Sequence, residues 1–204
     1  MACGLTQEQI GKAVAFHGHW CPGLALGIRA AEWALANMGS ALDEEIVTIT
    51  ETDMCAVDAI QELVGCTFGK GNLIYHDRGK IAFSFYRRSD GKSARLVVRA
   101  DFVCGRKDPF QRELQRRFRT GEALSPEEKA LHAKMRKESC ELIMSLPIED
   151  IFQVKAAGFA IPHRARLMES ITCEDCGEVV MESRIRRLEG KYYCISCFKK
   201  HDDR

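Results

Sequence analysis

No stretch of this chain approaches the roughly 20 consecutive apolar residues that a membrane helix needs; its apolar runs are short, as in Leu142-Ile143-Met144. An excess of one charge is missing too, since 30 Lys and Arg stand against 29 Asp and Glu for a formal net charge of +1. No global field therefore draws the chain to nucleic acid, membranes or acidic substrates, and any partner has to be recognised locally. From Met1 to Gln7 there is no basic stretch followed by an apolar run, so no signal peptide is expected. Internal repeats and low-complexity runs are absent as well. The expectation is a soluble, cytoplasmic protein with no membrane partner.

What is present is 204 residues, 46% of them hydrophobic, enough for one ordinary domain plus something small. Ten cysteines in a reducing compartment point to metal or redox chemistry before disulfides. Four of them, Cys173 and Cys176 then Cys194 and Cys197, form two C-x-x-C pairs 17 residues apart. That spacing suits a structural zinc site: two intervening residues let both thiolates of a pair reach one ion, and a closed four-thiolate shell leaves no catalytic position. About 30 residues bury too little apolar surface to fold unaided, so the metal supplies the missing stability.

Ahead of this module the pattern is α+β. Thr6 caps a helix running to His17, with Gly18 beyond it, and Pro22 opens a second helix to about Gly39. Residues 45–51 alternate as a strand, 56–64 read as a helix stopped by Gly65, and 73–76, 81–87 and 94–99 read as strands, the last two joined at Asp90-Gly91. From Asp108 the spacing of Phe110, Leu114 and Phe118 and the capping signal at Ser125 predict a helical hairpin. Its basic residues, with Arg106, Lys107, Arg112, Arg116, Arg117 and Arg119, read as a solvated face before a phosphate site. A last strand at 152–155 and a linker at 161–164 follow. The expected fold is thus a mainly antiparallel sheet with packed helices over residues 1–168, plus a zinc-ribbon or treble-clef-like module over 169–204.

A second constellation lies in Phe16-His17-Gly18-His19-Trp20-Cys21-Pro22-Gly23. Two imidazoles and a thiol share a loop, and Cys21 stands just before a helix N-terminus, where unpaired amides and the dipole favour a thiolate. Cys55 stands similarly, with Asp58 at a capping-box position, and Cys66 follows the same helix. Cys21 and Cys55 are the candidate catalytic thiols. His17 or His19, Cys21 and Cys55, with Cys66 in reserve, are candidate ligands for zinc or another borderline-soft metal. Cys3, Cys104 and Cys140 read as buried or incidental thiols. The Gly65–Gly71 stretch lacks the spacing and the Ser or Thr after lysine of a phosphate loop.

Together, the 16–24 signature with Gly27 and Arg29, Cys55 with Asp58-Ala59-Ile60-Gln61, Gly65 to Asn72, Gly79-Lys80 and the finger opening Cys173-x-x-Cys176-Gly177-Glu178 resemble the E-subunit family of formylmethanofuran dehydrogenase. The resemblance implies an α+β core that forms a homodimer, an appended zinc finger, and association with a larger molybdenum or tungsten oxidoreductase. The expected function is a zinc-binding protein of redox or one-carbon metabolism, acting as an enzyme or as an accessory component of one. The alternative is a regulatory or nucleic-acid-binding protein working through its finger, where Arg184, Arg186, Arg187, Lys191, Lys199 and Lys200 are basic.

Overall fold

Thr6 starts the first helix because its hydroxyl accepts the Gln9 amide while the Gln9 side chain accepts the Thr6 amide. The computed structural model, which describes residues 3–41, 43–102 and 108–202, carries this helix, α1, over Gln7–His17. Gly18 ends it at φ +86°, its amide donating to the Val14 carbonyl. Pro22 then opens α2 (Pro22–Met38), whose surface is buried nearly all round, so it lies inside the core and not along its edge.

The sheet is ordered β2-β1-β3-β4-β5, with β1 at Ile46–Thr50, β2 at Leu73–Tyr75, β3 at Ala82–Arg87, β4 at Ser93–Val98 and β5 at Phe152–Lys155. Three pairings are antiparallel, as expected, but β2 runs parallel to β1, with Ile49 opposite Ile74. The chain between them is long enough for a crossover and contains α3 (Ala56–Ala59), which widens into a π turn over Ile60–Val64. The expected single helix over 56–64 is therefore two forms of helix, ended by Gly65 at φ +81°.

On one face of the sheet Ile46, Phe83, Phe85 and Leu96 pack in one cluster with Ala30, Ala31 and Ala34 of α2. Each such fully buried large side chain contributes about 1.5–3 kcal/mol. The opposite face, Val47, Ile49 and Tyr86, is covered by Ala157 and Phe159. Arg78 lies over the Phe159 ring at 4.7 Å, and Arg88 donates to the Pro162 carbonyl. The residues that pack on the sheet precede the expected linker at 161–164, which is itself tied to Arg88 through the Pro162 carbonyl. On this face fully buried Glu51 is held by Arg95 at 2.5 and 3.0 Å.

The helical hairpin is α4 (Pro109–Arg119) and α5 (Pro126–Ser145), the second opened by the Ser125 capping box. Arg116 pairs with Glu113 and Glu122, and Arg117 with Glu128, so these cations are matched within the hairpin. Arg106 and Lys107, like Cys104, lie outside the described residues. A one-turn α6 (Ile148–Ile151) leads into β5.

The chain divides into one compact unit up to Arg164 and a second from Ala165. The second holds the hairpins β6 (Ser170–Thr172) with β7 (Val179–Met181) and β8 (Arg186–Leu188) with β9 (Lys191–Tyr193), then α7 (Ile195–His201).

Candidate metal centres

The C-terminal quartet converges. Sulfurs of Cys173, Cys176, Cys194 and Cys197 all lie within 4.8 Å of one another. The Cys194 amide donates to the Cys173 sulfur at 3.2 Å, and the Cys197 amide to the Cys194 sulfur at 3.3 Å. Amides of Cys176 and Cys194 pull the Cys173 thiol down to about 6. The Asp175 carboxylate, then burial, push Cys197 up. Four adjacent thiolates need a cation between them, and the donor set fits a tetrahedral soft ion. The apolar cluster around it is small, with Tyr193, Leu188, Val180 and Phe198, as expected of a unit that relies on metal.

The first constellation also converges, though not as the whole set expected. His17 ends α1, the left-handed Gly18 turns the chain back, and Cys21 takes extended angles (φ −152°, ψ 160°) as the N-cap of α2. The Cys21 sulfur accepts the Leu24 amide at 3.4 Å and lies 3.7 Å from His17 Nε2. The other ring nitrogen, Nδ1, is 2.7 Å from the Asp58 carboxylate. A proton on Nδ1 donated to Asp58 leaves the Nε2 lone pair facing the thiol, the orientation in which carboxylates hold metal-binding imidazoles. His19 is exposed, its ring 4.4 Å from that of His17, and the donor atoms of His17, His19 and Cys21 all lie within 4.8 Å of one another.

Asp58 does not close a capping box. Cys55 has helical angles (φ −41°, ψ −31°), no side-chain cap forms at α3, and the carboxylate serves His17 instead. Nor is the Cys55 thiol lowered: burial first, then neighbouring Cys21, push it up, and a one-turn helix has little dipole to oppose them. Cys55 still lies beside Cys21. A Cβ on Gly23 would come 3.1 Å from the Cys55 Cβ, 3.6 Å from its sulfur and 3.9 Å from the Cys21 sulfur, so a residue without a side chain lets the thiols approach.

Cys66 is placed elsewhere. It is fully buried in the main core, donates to the Ile46 carbonyl at 3.4 Å, and is pushed up to about 11 by burial. That is the chemistry of a packed thiol. Cys140 is likewise buried.

Two features are not evident from the sequence. One is Asp58 as the partner of His17, 41 positions away. The other is a cavity of about 410 Å³ bounded by Cys21, Gly23 and Cys55 on one side and by α4 and α5 on the other. No clear signal in the sequence marks the second: His132 on the hairpin has Glu128 one turn before it, and the structure pairs that carboxylate with Arg117 instead.

Comparison with known proteins places the chain by family and fold. Residues 16–153 match the family described as "FmdE, Molybdenum formylmethanofuran dehydrogenase operon", and residues 169–203 match "Prokaryotic dksA/traR C4-type zinc finger". A "Probable S-adenosyl-L-methionine-binding protein" of Archaeoglobus fulgidus is 32% identical over 195 residues, covering 90% of this chain and 53% of that protein. This chain therefore spans about half the length of that curated relative. A "tungsten formylmethanofuran dehydrogenase subunit e (fmde)-like protein" of Syntrophus aciditrophicus, known from a crystal structure, shares the fold, with TM-score 0.60 and 24% identity over 96% of this chain and 93% of that one.

Proposed function

The chain belongs to the FmdE family, and we propose that its core is a transition-metal centre on His17, Cys21 and Cys55, with His19 as a further donor, while the C-terminal quartet holds a structural zinc. The observation that carries this is the line from Asp58 through His17 to Cys21, at 2.7 and 3.7 Å. A carboxylate that fixes an imidazole with its free nitrogen on a thiol has the arrangement of ligand and outer partner common to metal sites.

Held by His17, Cys21 and Cys55, zinc or a similar ion would supply Lewis acidity or activate a bound water, provided His19 does not close its shell. The chain's own residues do the rest. Asp58 holds the proton at His17 Nδ1, Gly23 keeps the two sulfurs together, and α4 and α5 wall the cavity beside them. Redox or one-carbon metabolism, as an enzyme or as an accessory component of one, is the setting we propose, in the cytoplasm where thiolate ligands stay reduced. A homodimer and a larger oxidoreductase are the proposed partners; exposed Phe16, Met54 and Phe68 offer apolar surface to either. The S-adenosyl-L-methionine binding in the Archaeoglobus relative's name concerns a protein only half spanned by this chain and forms no part of the proposal.

Cobalt(II) loading of full-length Cys176→Ser tests the reading. A sulfur-to-cobalt charge-transfer band that disappears in Cys176→Ser/Cys21→Ser supports it; a Cys176→Ser chain with no such band contradicts it.

A second reading keeps the finger as the working part, because Arg184, Arg186, Arg187, Lys191, Lys199 and Lys200 are all exposed. Binding to a generic DNA duplex that weakens steeply with salt would support it.

A further inference from the structure

We propose that the cavity beside Cys21 and Cys55 binds a small organic carboxylate, its anionic group held by Arg136 and His132 and its other end turned towards the two sulfurs. This deepens the reading of the core as a metal centre and rests on it for what the ligand meets beside the thiols.

The volume, about 410 Å³, lies within the range of roughly 300–1,000 Å³ typical of small-molecule sites. Its lining is divided. Met54, Met135 and Leu142 supply apolar surface, while Gln111, Gln115 and Arg136 supply amides and one guanidinium. The second, independent observation is His132. Only 4% exposed, it lines the cavity, and its Nε2 is buried without a hydrogen-bond partner. Leaving a buried polar group unpaired costs about 1–3 kcal/mol, which a ligand atom at that position removes.

The ring is fixed in place: it stacks on Phe118 with centroids 3.9 Å apart and planes 22° from parallel. Burial first, then the nearby Arg136 cation, hold its pKa below the ordinary value, so it stays a neutral ring. A carboxylate accepts hydrogen bonds only, so the Nε2–H tautomer is the form that meets it.

Charge selects the class. Among the described residues Arg136 makes no ion pair, whereas Arg116 and Arg117 on the same hairpin are matched by Glu113, Glu122 and Glu128. A guanidinium presents a planar fork suited to a carboxylate. Glu138 is also on the wall, 3.9 Å from Lys134. One cation with a carboxylate near it balances a monoanion better than a phosphate dianion. Cys21 and Cys55 also line the cavity, and a zinc ion held by them would accept a second oxygen of the ligand.

The test is isothermal titration calorimetry on zinc-loaded full-length protein, with pyruvate and inorganic phosphate as probes and zinc per chain measured in every sample. Pyruvate should bind saturably and more tightly than phosphate. Arg136→Gln and His132→Phe, the second preserving the stack on Phe118, should each weaken it about tenfold or more, as loss of a hydrogen bond to a charged group does. Arg119→Gln, an exposed cation of α4 that does not line the cavity, should leave pyruvate binding unchanged. No saturable pyruvate binding, tighter binding of phosphate, or equal affinity in Arg136→Gln would overturn the proposal. Core zinc retained without pyruvate binding removes the cavity proposal alone. Pyruvate binding that depends on Arg136 in a chain whose core holds no metal upholds the cavity and removes the metal centre.

Discussion

Gly27→Ala should separate two elements that carry the core site. A Cβ at position 27 would lie 2.3 Å from the Ala56 carbonyl oxygen, 2.6 Å from its Cα and 2.8 Å from its carbonyl carbon. All three are backbone atoms and cannot rotate away. Since carbon contacts settle near ~3.5 Å or beyond, α2 and α3 must part by about 1 Å. Overpacking of this kind costs about 1–3 kcal/mol, towards the upper end where only backbone can yield. Alanine recovers about 1 kcal/mol of helix propensity over glycine, leaving a net loss of about 2 kcal/mol. The strain also reaches the site, because α3 carries Asp58 and has Cys55 as its N-cap residue. Urea unfolding followed by tryptophan fluorescence reads the core alone, as the two tryptophans, Trp20 and Trp33, lie in the first unit. With a urea slope of about 1–3 kcal/mol/M, the midpoint should fall by about 1 M. Gly11→Ala is the control: it lies in α1 with nothing within 4 Å, and should gain up to about 1 kcal/mol. Wild-type stability in Gly27→Ala, or equal changes at both glycines, would refute the reasoning.

Three further outcomes are expected. Asp58→Asn should lower metal affinity of the core about 10- to 100-fold without shifting the urea midpoint by more than about 0.5 M, measured by chelator competition; unchanged affinity would remove Asp58 from its positioning role. Cys176→Ser should lose amide-exchange protection from residue 170 onward while α1, α2 and the five-stranded sheet keep theirs, as expected if the two compact units unfold separately. Glu51 is held below its ordinary pKa, first by the hydrogen bond from Arg95. A depressed carboxylate contributes stability above its unfolded pKa of about 4.3 that is lost as pH falls through the folded value. Glu51→Gln should therefore flatten the acid limb of the stability profile below about pH 4.3 and cost about 3 kcal/mol at pH 7, as breaking a buried pair does. An unchanged acid limb would contradict this.

Local signals are the legible ones. The Thr6 and Ser125 capping boxes, Pro22, Gly18 and the cysteine quartet each act within a few residues, so spacing alone locates them. Contacts between distant positions are not legible. Asp58 resembles a cap because Cys55 precedes it by three, yet its partner is His17, on another helix. Cys66 looks available because it follows Gly65, but the crossover to β2 carries it into the core beside Ile46. Nothing in residues 73–75 distinguishes a parallel strand from an antiparallel one; pairing direction is set by the path of the chain. Gly23 and Gly27 stand in the family signature, but their purpose is visible only where Cys55 and Ala56 press against them.

Metal per chain, measured by elemental analysis on full-length protein purified from zinc-supplemented cells, tests the central claim most directly. The account predicts two equivalents in the wild type, one in Cys176→Ser, one in Cys21→Ser, and none in the double variant. Two equivalents in Cys21→Ser, or none in Cys176→Ser, would contradict it.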